Sequence, residues 1–212
     1  MKIEGKNLSY RYPNEEKAVF QNLSFVCDDA QPLVLMGASG IGKTTLVKII
    51  CGLLKPDEGE LLFDGRVITQ SREWPRMSVV FQEDRLIESF TALKNWQLVM
   101  DEKNTRLIRL AESLGLEAAD MNHYPDELSG GQRRRVAIGR ALLFESDALI
   151  LDEPFQGLDQ ETRERVTEVI LKEAGAGGRE SETLGKSKPR NIILVTHDRE
   201  DAERFGGKIL EI

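Results

Sequence analysis

One short stretch near the start of the chain constrains the fold more than any other feature. Residues 37–44 read GASGIGKT and match the phosphate-binding pattern G-x-x-x-x-G-K-[ST]. The apolar run 33–36 before it is typical of a buried strand, and residues 43–54 after it are typical of a helix. A strand, a glycine loop and a helix in this order predict an α/β protein with a nucleotide-binding core.

The residue types in this segment suit a phosphate site. Glycines let backbone N–H groups converge on phosphate oxygens, and the following helix directs its positive end at the same anion. We expect Lys43 to reach the β and γ phosphates of ATP and Thr44 to give a hydroxyl to Mg²⁺. A chance match of a glycine-rich loop is the alternative. The residues predicted to bind ATP here are Gly37, Ala38, Ser39, Gly40, Ile41, Gly42, Lys43, Thr44 and Thr45.

A second element of the sequence ends in two carboxylates. Residues 149–153 read LILDE, an apolar strand that finishes at Asp152 and Glu153. Alternation along a strand points these two side chains in different directions. We expect Asp152 to hold Mg²⁺ through water and Glu153 to polarise the water that attacks the γ phosphate. The alternative is an ordinary acidic turn before Pro154.

Composition narrows the class of protein. The chain has 212 residues and a net charge of −7, from 29 Lys and Arg against 36 Asp and Glu. This balance argues against a dedicated nucleic-acid binder. No run approaches the roughly 18 to 20 apolar residues that span a bilayer, and the first twelve residues lack the apolar core of a secretion signal. Two cysteines exclude a disulfide framework, and we expect Cys51 to be a buried core residue.

The pattern along the chain predicts a parallel α/β core with a helical insertion. Strands are expected at 2–8, 19–26, 33–36, 78–81, 148–151 and 192–195, with a hairpin at Asp64-Gly65 between 61–63 and 67–69. Helices are expected at 43–54, 133–144 and 162–174, and helical spacing dominates from 83 to about 122. Within that block, Leu107, Leu110, Ala111 and Leu114 form an apolar stripe that predicts a packing face. Residues 175–190 offer little to bury and are predicted to form a mobile surface loop.

Residues 128–132 read LSGGQ, and this pentapeptide points to a family. It is the signature of the ATP-binding cassette (ABC) ATPases, which this chain resembles over nearly its whole length. The motifs occur in the family order: 37–44, Gln82, 128–132, 149–153, 157–159 and His197. The sequence around 80–95 is most similar to importer ATPases of the nitrate, sulfonate and taurine type.

The resemblance implies one ABC ATP-binding domain over residues 1–212. Its fold would be a P-loop NTPase core with an N-terminal antiparallel β subdomain and an inserted α-helical subdomain. The core with its β subdomain is expected at 1–82 and 136–212, and the helical signature subdomain at 83–135.

The resemblance also implies roles for residues outside the glycine loop. Tyr12 falls where the family stacks an aromatic ring on adenine, with Tyr10 as a rival. Gln82 would contact Mg²⁺ or the attacking water, as an amide can donate and accept without charge. His197 would hydrogen-bond the γ phosphate and help to hold the water. The implied catalytic residues are Glu153, His197 and Gln82, and the implied metal ligands are Thr44, Gln82 and Asp152.

The resemblance implies that one chain cannot form a complete site. In the family, the signature of one subunit closes over the ATP held by another, which here assigns Ser129, Gly130, Gly131 and Gln132 to a partner's nucleotide. Asp159 would lie at the interface between the two subunits of the dimer. Gln156 occupies a position where the family more usually has a small residue, so contacts at the dimer interface are expected to differ from those of other members. Arg133, Arg134, Arg135 and Arg140 follow the signature and are interpreted as exposed helix charges, some near the partner's nucleotide.

These inferences predict a subunit that hydrolyses ATP and drives transport through other proteins. The expected partners are a second ATPase subunit, in a homodimer, transmembrane permease subunits and an extracytoplasmic solute-binding protein, with no nucleic acid. The expected location is the cytoplasmic face of the membrane. The alternative is an ABC ATPase for a mechanical process such as lipoprotein release, cell division or cofactor assembly. A chromosome or DNA-repair ATPase would need a long coiled coil, and no sustained heptad run is present.

Overall fold

The computed structural model describes residues 1–28, 31–68, 74–100, 105–175 and 190–212. The elements follow the order β1 (Ile3–Tyr10), β2 (Phe20–Cys27), β3 (Leu33–Met36), α1 (Lys43–Ile50), β4 (Glu58–Phe63), β5 (Arg66–Val67), β6 (Met77–Val80), α2 (Ala92–Gln97), α3 (Thr105–Ser113), α4 (Gly130–Leu143), β7 (Ala148–Asp152), α5 (Gln160–Glu173), β8 (Asn191–Val195), α6 (Arg199–Phe205) and β9 (Lys208–Glu211). The loop predicted at 175–190 lies outside the described residues except for its two ends.

An antiparallel sheet packs beside the core. Its strands lie in the order β2-β1-β4-β5, and each neighbouring pair is antiparallel. Asp64 and Gly65 connect the last two strands with positive φ angles of 48° and 76°. These angles are typical of a type I′ hairpin turn. The predicted hairpin and the predicted antiparallel β subdomain are therefore confirmed.

A parallel sheet forms the centre of the nucleotide-binding core. Its strand order is β6-β7-β8-β3-β9, and all of its pairs are parallel. Every residue of β7 and β8 is buried, as expected for strands covered on both faces. The carboxyl ends of parallel strands meet at one edge, so β3, β7 and β8 bring Gly37, Glu153 and Thr196 together.

The helical region packs through a tryptophan. Trp96 on α2 is fully buried, and its Nε1–H donates to the Val136 carbonyl on α4 over 2.8 Å. Its ring lies against Gly139, where any added Cβ would overlap it. The stripe predicted on α3 is confirmed as a packing face, since Leu107, Leu110, Ala111 and Leu114 are all buried.

The structure differs from the sequence predictions at several element ends. Helix α1 ends at Ile50, slightly before the predicted end at Gly52 or soon after, since Gly52 adopts a positive φ of 72° that no helix continues through. Helix α4 begins at Gly130 instead of 133, because Ser129 caps it. Helix α4 also extends across residue 135, where the sequence predicts the end of the helical subdomain; that domain boundary stays a prediction. Between residues 83 and 91 the chain is irregular where helical spacing was expected.

The described helices do not include one that is long and apolar enough to cross a lipid bilayer.

Candidate functional site

A cavity of about 870 Å³ opens where the carboxyl ends of β3, β7 and β8 meet the N-terminus of α1. It brings together the glycine loop, the strand-end carboxylates, Gln82 and His197, as predicted. Its lining residues are Ala38, Ser39, Gly40, Gly42, Lys43, Thr44, Thr45, Gln82, Asp152, Glu153, Pro154, Phe155, Gln156, Gly157, Arg163, Thr196, His197, Asp198 and Asp201.

The N-terminus of α1 is built to receive an anion. Its N-cap is Gly42, which has a φ of 120° and no side chain to bond the first N–H groups of the helix. Helices α2, α4, α5 and α6 each begin with a side-chain cap instead. No acidic residue lies in the first turn of α1. Its unpaired N–H groups therefore offer a positive site to phosphate.

Lys43 adds a full positive charge to this site. The side chain is buried, and its ammonium donates to the carbonyls of Gly37 and Ala38 over 2.7 and 3.0 Å. Carbonyl oxygens solvate the ammonium without neutralising it. A buried cation beside the cavity is therefore left to attract the negative charge of a ligand.

Thr44 and Asp152 form the pair expected to hold a metal ion. The Thr44 hydroxyl donates to Asp152 Oδ2 over 2.8 Å. Burial raises the pKa of the Asp152 carboxyl, an effect opposed by the Thr44 bond and reinforced by the charge of Glu153. With Gln82, the cavity offers hydroxyl, carboxylate and amide oxygens, which are the hard donors that suit Mg²⁺. A cation at this position would relieve the unfavourable burial of the Asp152 charge.

Glu153 and His197 face each other across the strand ends. His197 Nδ1 lies 3.0 Å from both Glu153 carboxylate oxygens. With the carboxylate ionised, Nδ1 carries the proton and Nε2 is left for another partner. Glu153 has a φ of 49°, although it is not glycine, while its N–H donates to the Val195 carbonyl over 3.0 Å. Such a strained backbone persists where the surroundings fix it, and it is common at functional sites.

Three charged lining residues, Arg163, Asp198 and Asp201, were not predicted from the sequence. Arg163 on α5 pairs with Asp198 over 2.7 Å and with Asp201 over 3.5 Å. Asp198 follows His197 directly and caps α6, so the arginine ties α5 to the segment that carries the histidine. Asp198 adjoins a motif residue, which was a usable signal. Arg163 matched no motif, and only the fold reveals it.

The four arginines after the signature are not the exposed charges that the sequence suggested. Arg134 is buried, and its guanidinium donates to the carbonyl of Phe81 over 2.7 Å and to that of Gln82. Arg140 donates to the Arg85 carbonyl over 2.8 Å, and Arg133 and Arg135 are only partly exposed. The interpretation was wrong because backbone carbonyls without regular partners can bind arginine inside a protein.

Tyr12 does not line the cavity, and its predicted adenine stacking stays a prediction. Its hydroxyl bonds the hydroxyl of Thr45 over 3.0 Å, and its ring meets Tyr10 edge-on with centroids 5.1 Å apart. Because Thr45 does line the cavity, Tyr12 lies next to it. Tyr10 is buried and packs in the core, so it is excluded as the alternative residue for stacking on adenine.

The signature and Asp159 do not line the chain's own cavity, although Gly131 lies next to Gly157, which does. Ser129 Oγ accepts from the Gln132 N–H, and Gln132 Oε1 accepts from the Ser129 N–H over 2.8 Å. A Cβ at Gly131 would lie 3.4 Å from Leu158, so the signature adjoins the loop before α5. Asp159 caps α5 by accepting from the Thr162 N–H, which lowers the pKa of its carboxyl.

Comparison with known proteins identifies this arrangement. The ABC transporter family profile matches residues 20–156. The aliphatic sulfonates import ATP-binding protein SsuB 1 of Rhodococcus jostii is 35% identical over 96% of this chain and 76% of its own length. The taurine import ATP-binding protein TauB of Pseudomonas aeruginosa is 35% identical, over 94% and 73%. The nitrate transport protein NasD of Klebsiella oxytoca is 31% identical, over 99% and 79%.

Solved structures share the fold. The dimeric structure of MJ0796, a bacterial ABC transporter cassette, superposes with a TM-score of 0.80 at 29% identity, covering 99% of this chain and 94% of that one. A post-hydrolysis dimer of MJ0796 bound to ADP and Pi gives a TM-score of 0.79 at 27% identity, with the same coverage. The matched fold confirms the predicted ABC ATPase architecture. The chain therefore belongs to the ABC transporter family, as an ATP-binding subunit that hydrolyses ATP.

Proposed function

We propose that this subunit is the motor of an importer and that the cavity residues divide the work of ATP hydrolysis. The observation that carries the proposal is the assembly of Lys43, the Thr44–Asp152 pair and the Glu153–His197 pair around one cavity. Phosphate binds the N-terminus of α1 and Lys43. Thr44, Asp152 and Gln82 hold Mg²⁺, which neutralises charge on the phosphates when bound.

The Glu153–His197 pair supplies the proton chemistry. In this proposal, Glu153 accepts a proton from the water that attacks the γ phosphate. His197 orients that carboxylate through Nδ1 and uses Nε2 for the γ phosphate. The strained backbone of Glu153 and its bond to Val195 fix the carboxylate before the nucleotide binds. This arrangement avoids reorganisation during the reaction.

A second copy of the chain completes each site. The signature does not line the cavity, and its Gly131 lies beside Leu158, the residue before Asp159. Two chains related by a two-fold axis would therefore each present Ser129 to the other's ATP. Hydrolysis removes the γ phosphate that the two subunits share, and the dimer then opens.

The transport partners are proposed from the relatives. Those described above are named for the import of sulfonates and taurine and for nitrate transport. These solutes are small and carry an anionic group, so we propose a solute of that class. Transmembrane permease subunits would hold the channel, an extracytoplasmic protein would deliver the solute, and this chain would sit at the cytoplasmic face.

Affinity capture tests the partner assignment. The tagged chain is expressed in its own host, the membranes are solubilised in mild detergent, and bound proteins are identified by mass spectrometry, with an unrelated tagged soluble protein as control. We expect integral membrane subunits with a translocation pathway. Capture of a membrane partner that lacks such a pathway would instead favour lipoprotein release or cell division.

A further inference from the structure

We infer that Arg134 is a positioning residue for Gln82 and that it links the signature helix to the γ-phosphate end of the cavity. The inference rests on the role of Gln82 in the proposed function. Arg134 does not line the cavity, so it holds the segment that carries Gln82 and does not touch the reacting groups.

The contacts of Arg134 converge on one short segment. Nη1 donates to the Phe81 carbonyl over 2.7 Å, Nη2 donates to the Gln82 carbonyl, and Nε lies 3.2 Å from Asp84 Oδ1. All three guanidinium nitrogens therefore hold residues 81–84. A planar fork of donors suits two neighbouring carbonyls and a carboxylate better than a single ammonium would.

The burial of Arg134 shows that these contacts are costly to lose. Its side chain is 5% exposed, and that of Asp84 is 21% exposed. A buried charge is tolerated when it is paired and hydrogen-bonded. Burial raises the pKa of the Asp84 carboxyl, while Arg134 and Arg133 oppose that rise. Arg134 is thus the positive charge that most favours the ionised Asp84 carboxylate.

No ladder of backbone hydrogen bonds fixes this segment. Strand β6 ends at Val80 and helix α2 begins at Ala92, and the residues between them have no regular structure. Side chains hold the backbone instead. Arg134 binds the carbonyl of Gln82, Arg140 binds that of Arg85 over 2.8 Å, and Asn95 binds those of Ile87, Phe90 and Thr91 over 3.1 Å.

Gln82 connects the segment bound by Arg134 to the cavity. Its side chain lines the cavity while its carbonyl is bound by Arg134. Fixing the carbonyl restrains the Cα and so the direction of the amide. Arg134 lies near the start of α4, close behind the signature. A displacement of α4 would therefore move the backbone of Gln82 with it.

A double-mutant cycle on the full chain tests this inference. The variants are Arg134→Gln, Gln82→Ala and both together, with Arg109→Gln on the exposed face of α3 as a matched control. Steady-state ATPase assays give kcat and KM, and thermal unfolding checks the fold. Arg134→Gln should lower kcat about tenfold, less than the roughly hundredfold loss that a 1 Å misplacement of a catalytic group can cause. KM for ATP should change less than about twofold, because Lys43 and α1 are untouched.

The decisive comparison is the effect of Arg134→Gln in the two backgrounds. If Arg134 acts through Gln82, it lowers kcat in the wild-type chain and causes no further loss in Gln82→Ala. An equal loss in both backgrounds means a merely structural role and overturns the inference. If Gln82→Ala alone leaves kcat unchanged, the proposed role of Gln82 is wrong and the inference falls with it. Should Arg134→Gln fail to fold, Arg134→Lys carries the same comparison, because one ammonium cannot bind all three groups.

Discussion

Lys43 shows how one side chain can define a binding site. Its ammonium is buried, solvated by two carbonyls and placed beside an uncapped helix N-terminus. Lys43→Ala should weaken ATP binding by about 2 kcal/mol or more, roughly thirtyfold or more in Kd, since a charge-assisted bond to phosphate is lost. Titration with a fluorescent ATP analogue measures this. Lys48→Ala, near the opposite end of α1, is the matched control and should keep the wild-type affinity for ATP. Equal affinities for wild type and Lys43→Ala would contradict a phosphate-binding site at Lys43.

Cys51 gives a prediction about pH at the residue scale. Burial, together with the nearby charge of Asp152, raises the pKa of its thiol to about 12. At pH 8 only roughly one thiol in ten thousand is then a thiolate, and that fraction rises about tenfold for each pH unit up to the pKa. Iodoacetamide should therefore label the folded chain far more slowly than the chain in denaturant. Cys51 is only partly buried, at the edge of the core instead of inside it as the sequence suggested, and equal labelling rates at pH 8 would contradict even this partial burial.

The sequence predicts a site residue well when its role is local. The glycine loop, Asp152 and Glu153 belong to one strand end or one turn, so their spacing alone places them. Arg163 and Arg134 act across the fold, between elements far apart in the chain. No spacing rule relates such partners, and only the packed structure shows them.

At the scale of an element, α4 depends on the space that Gly139 leaves for Trp96. Glycine to alanine normally stabilises a helix by about 1 kcal/mol. Here an added Cβ would overlap the Trp96 ring, which is fully buried. Gly139→Ala should therefore destabilise the chain by about 2 kcal/mol, as overpacking does in other cores. Thermal or urea unfolding measures the change.

A second background separates overlap from helix propensity. In Trp96→Leu the smaller side chain leaves room for the new methyl group, so Gly139→Ala should lose most of its penalty there. A stabilising effect of Gly139→Ala in the wild-type chain would show that the two helices do not pack as described.

Elements were predictable where period and turn chemistry agree. The hairpin at Asp64-Gly65 and the fully buried strands of the parallel sheet follow from such signals. The segment 83–91 has a helical spacing of apolar residues and yet is irregular, because Arg140 and Asn95 bind its carbonyls and Arg134 pairs with the Asp84 carboxylate. Tertiary hydrogen bonds of this kind override local propensity.

At the scale of the whole molecule, Ser129 and Asp159 do not line the chain's own cavity. In the proposed function, hydrolysis therefore needs a second copy of the chain, whose signature would close over ATP. Binding energy that is shared between the subunits through the γ phosphate makes the dimer conditional on ATP.

The mass of Glu153→Gln in solution tests this claim most directly. The substitution leaves the phosphate-binding loop and Lys43 intact and removes the general base, so ATP should bind without being hydrolysed. Light scattering after gel filtration in millimolar ATP and Mg²⁺ should then report twice the chain mass of 23.9 kDa, and one chain mass in ADP. Adding Ser129→Arg should preserve ATP binding and abolish the dimer, because the signature no longer fits the partner's nucleotide.

Other results would contradict the roles proposed for Glu153 and for the partner's signature. Hydrolysis by Glu153→Gln at the wild-type rate would refute Glu153 as the base. A single-chain mass in saturating ATP, or a dimer that forms equally well with Ser129→Arg, would contradict a site completed by the partner's signature.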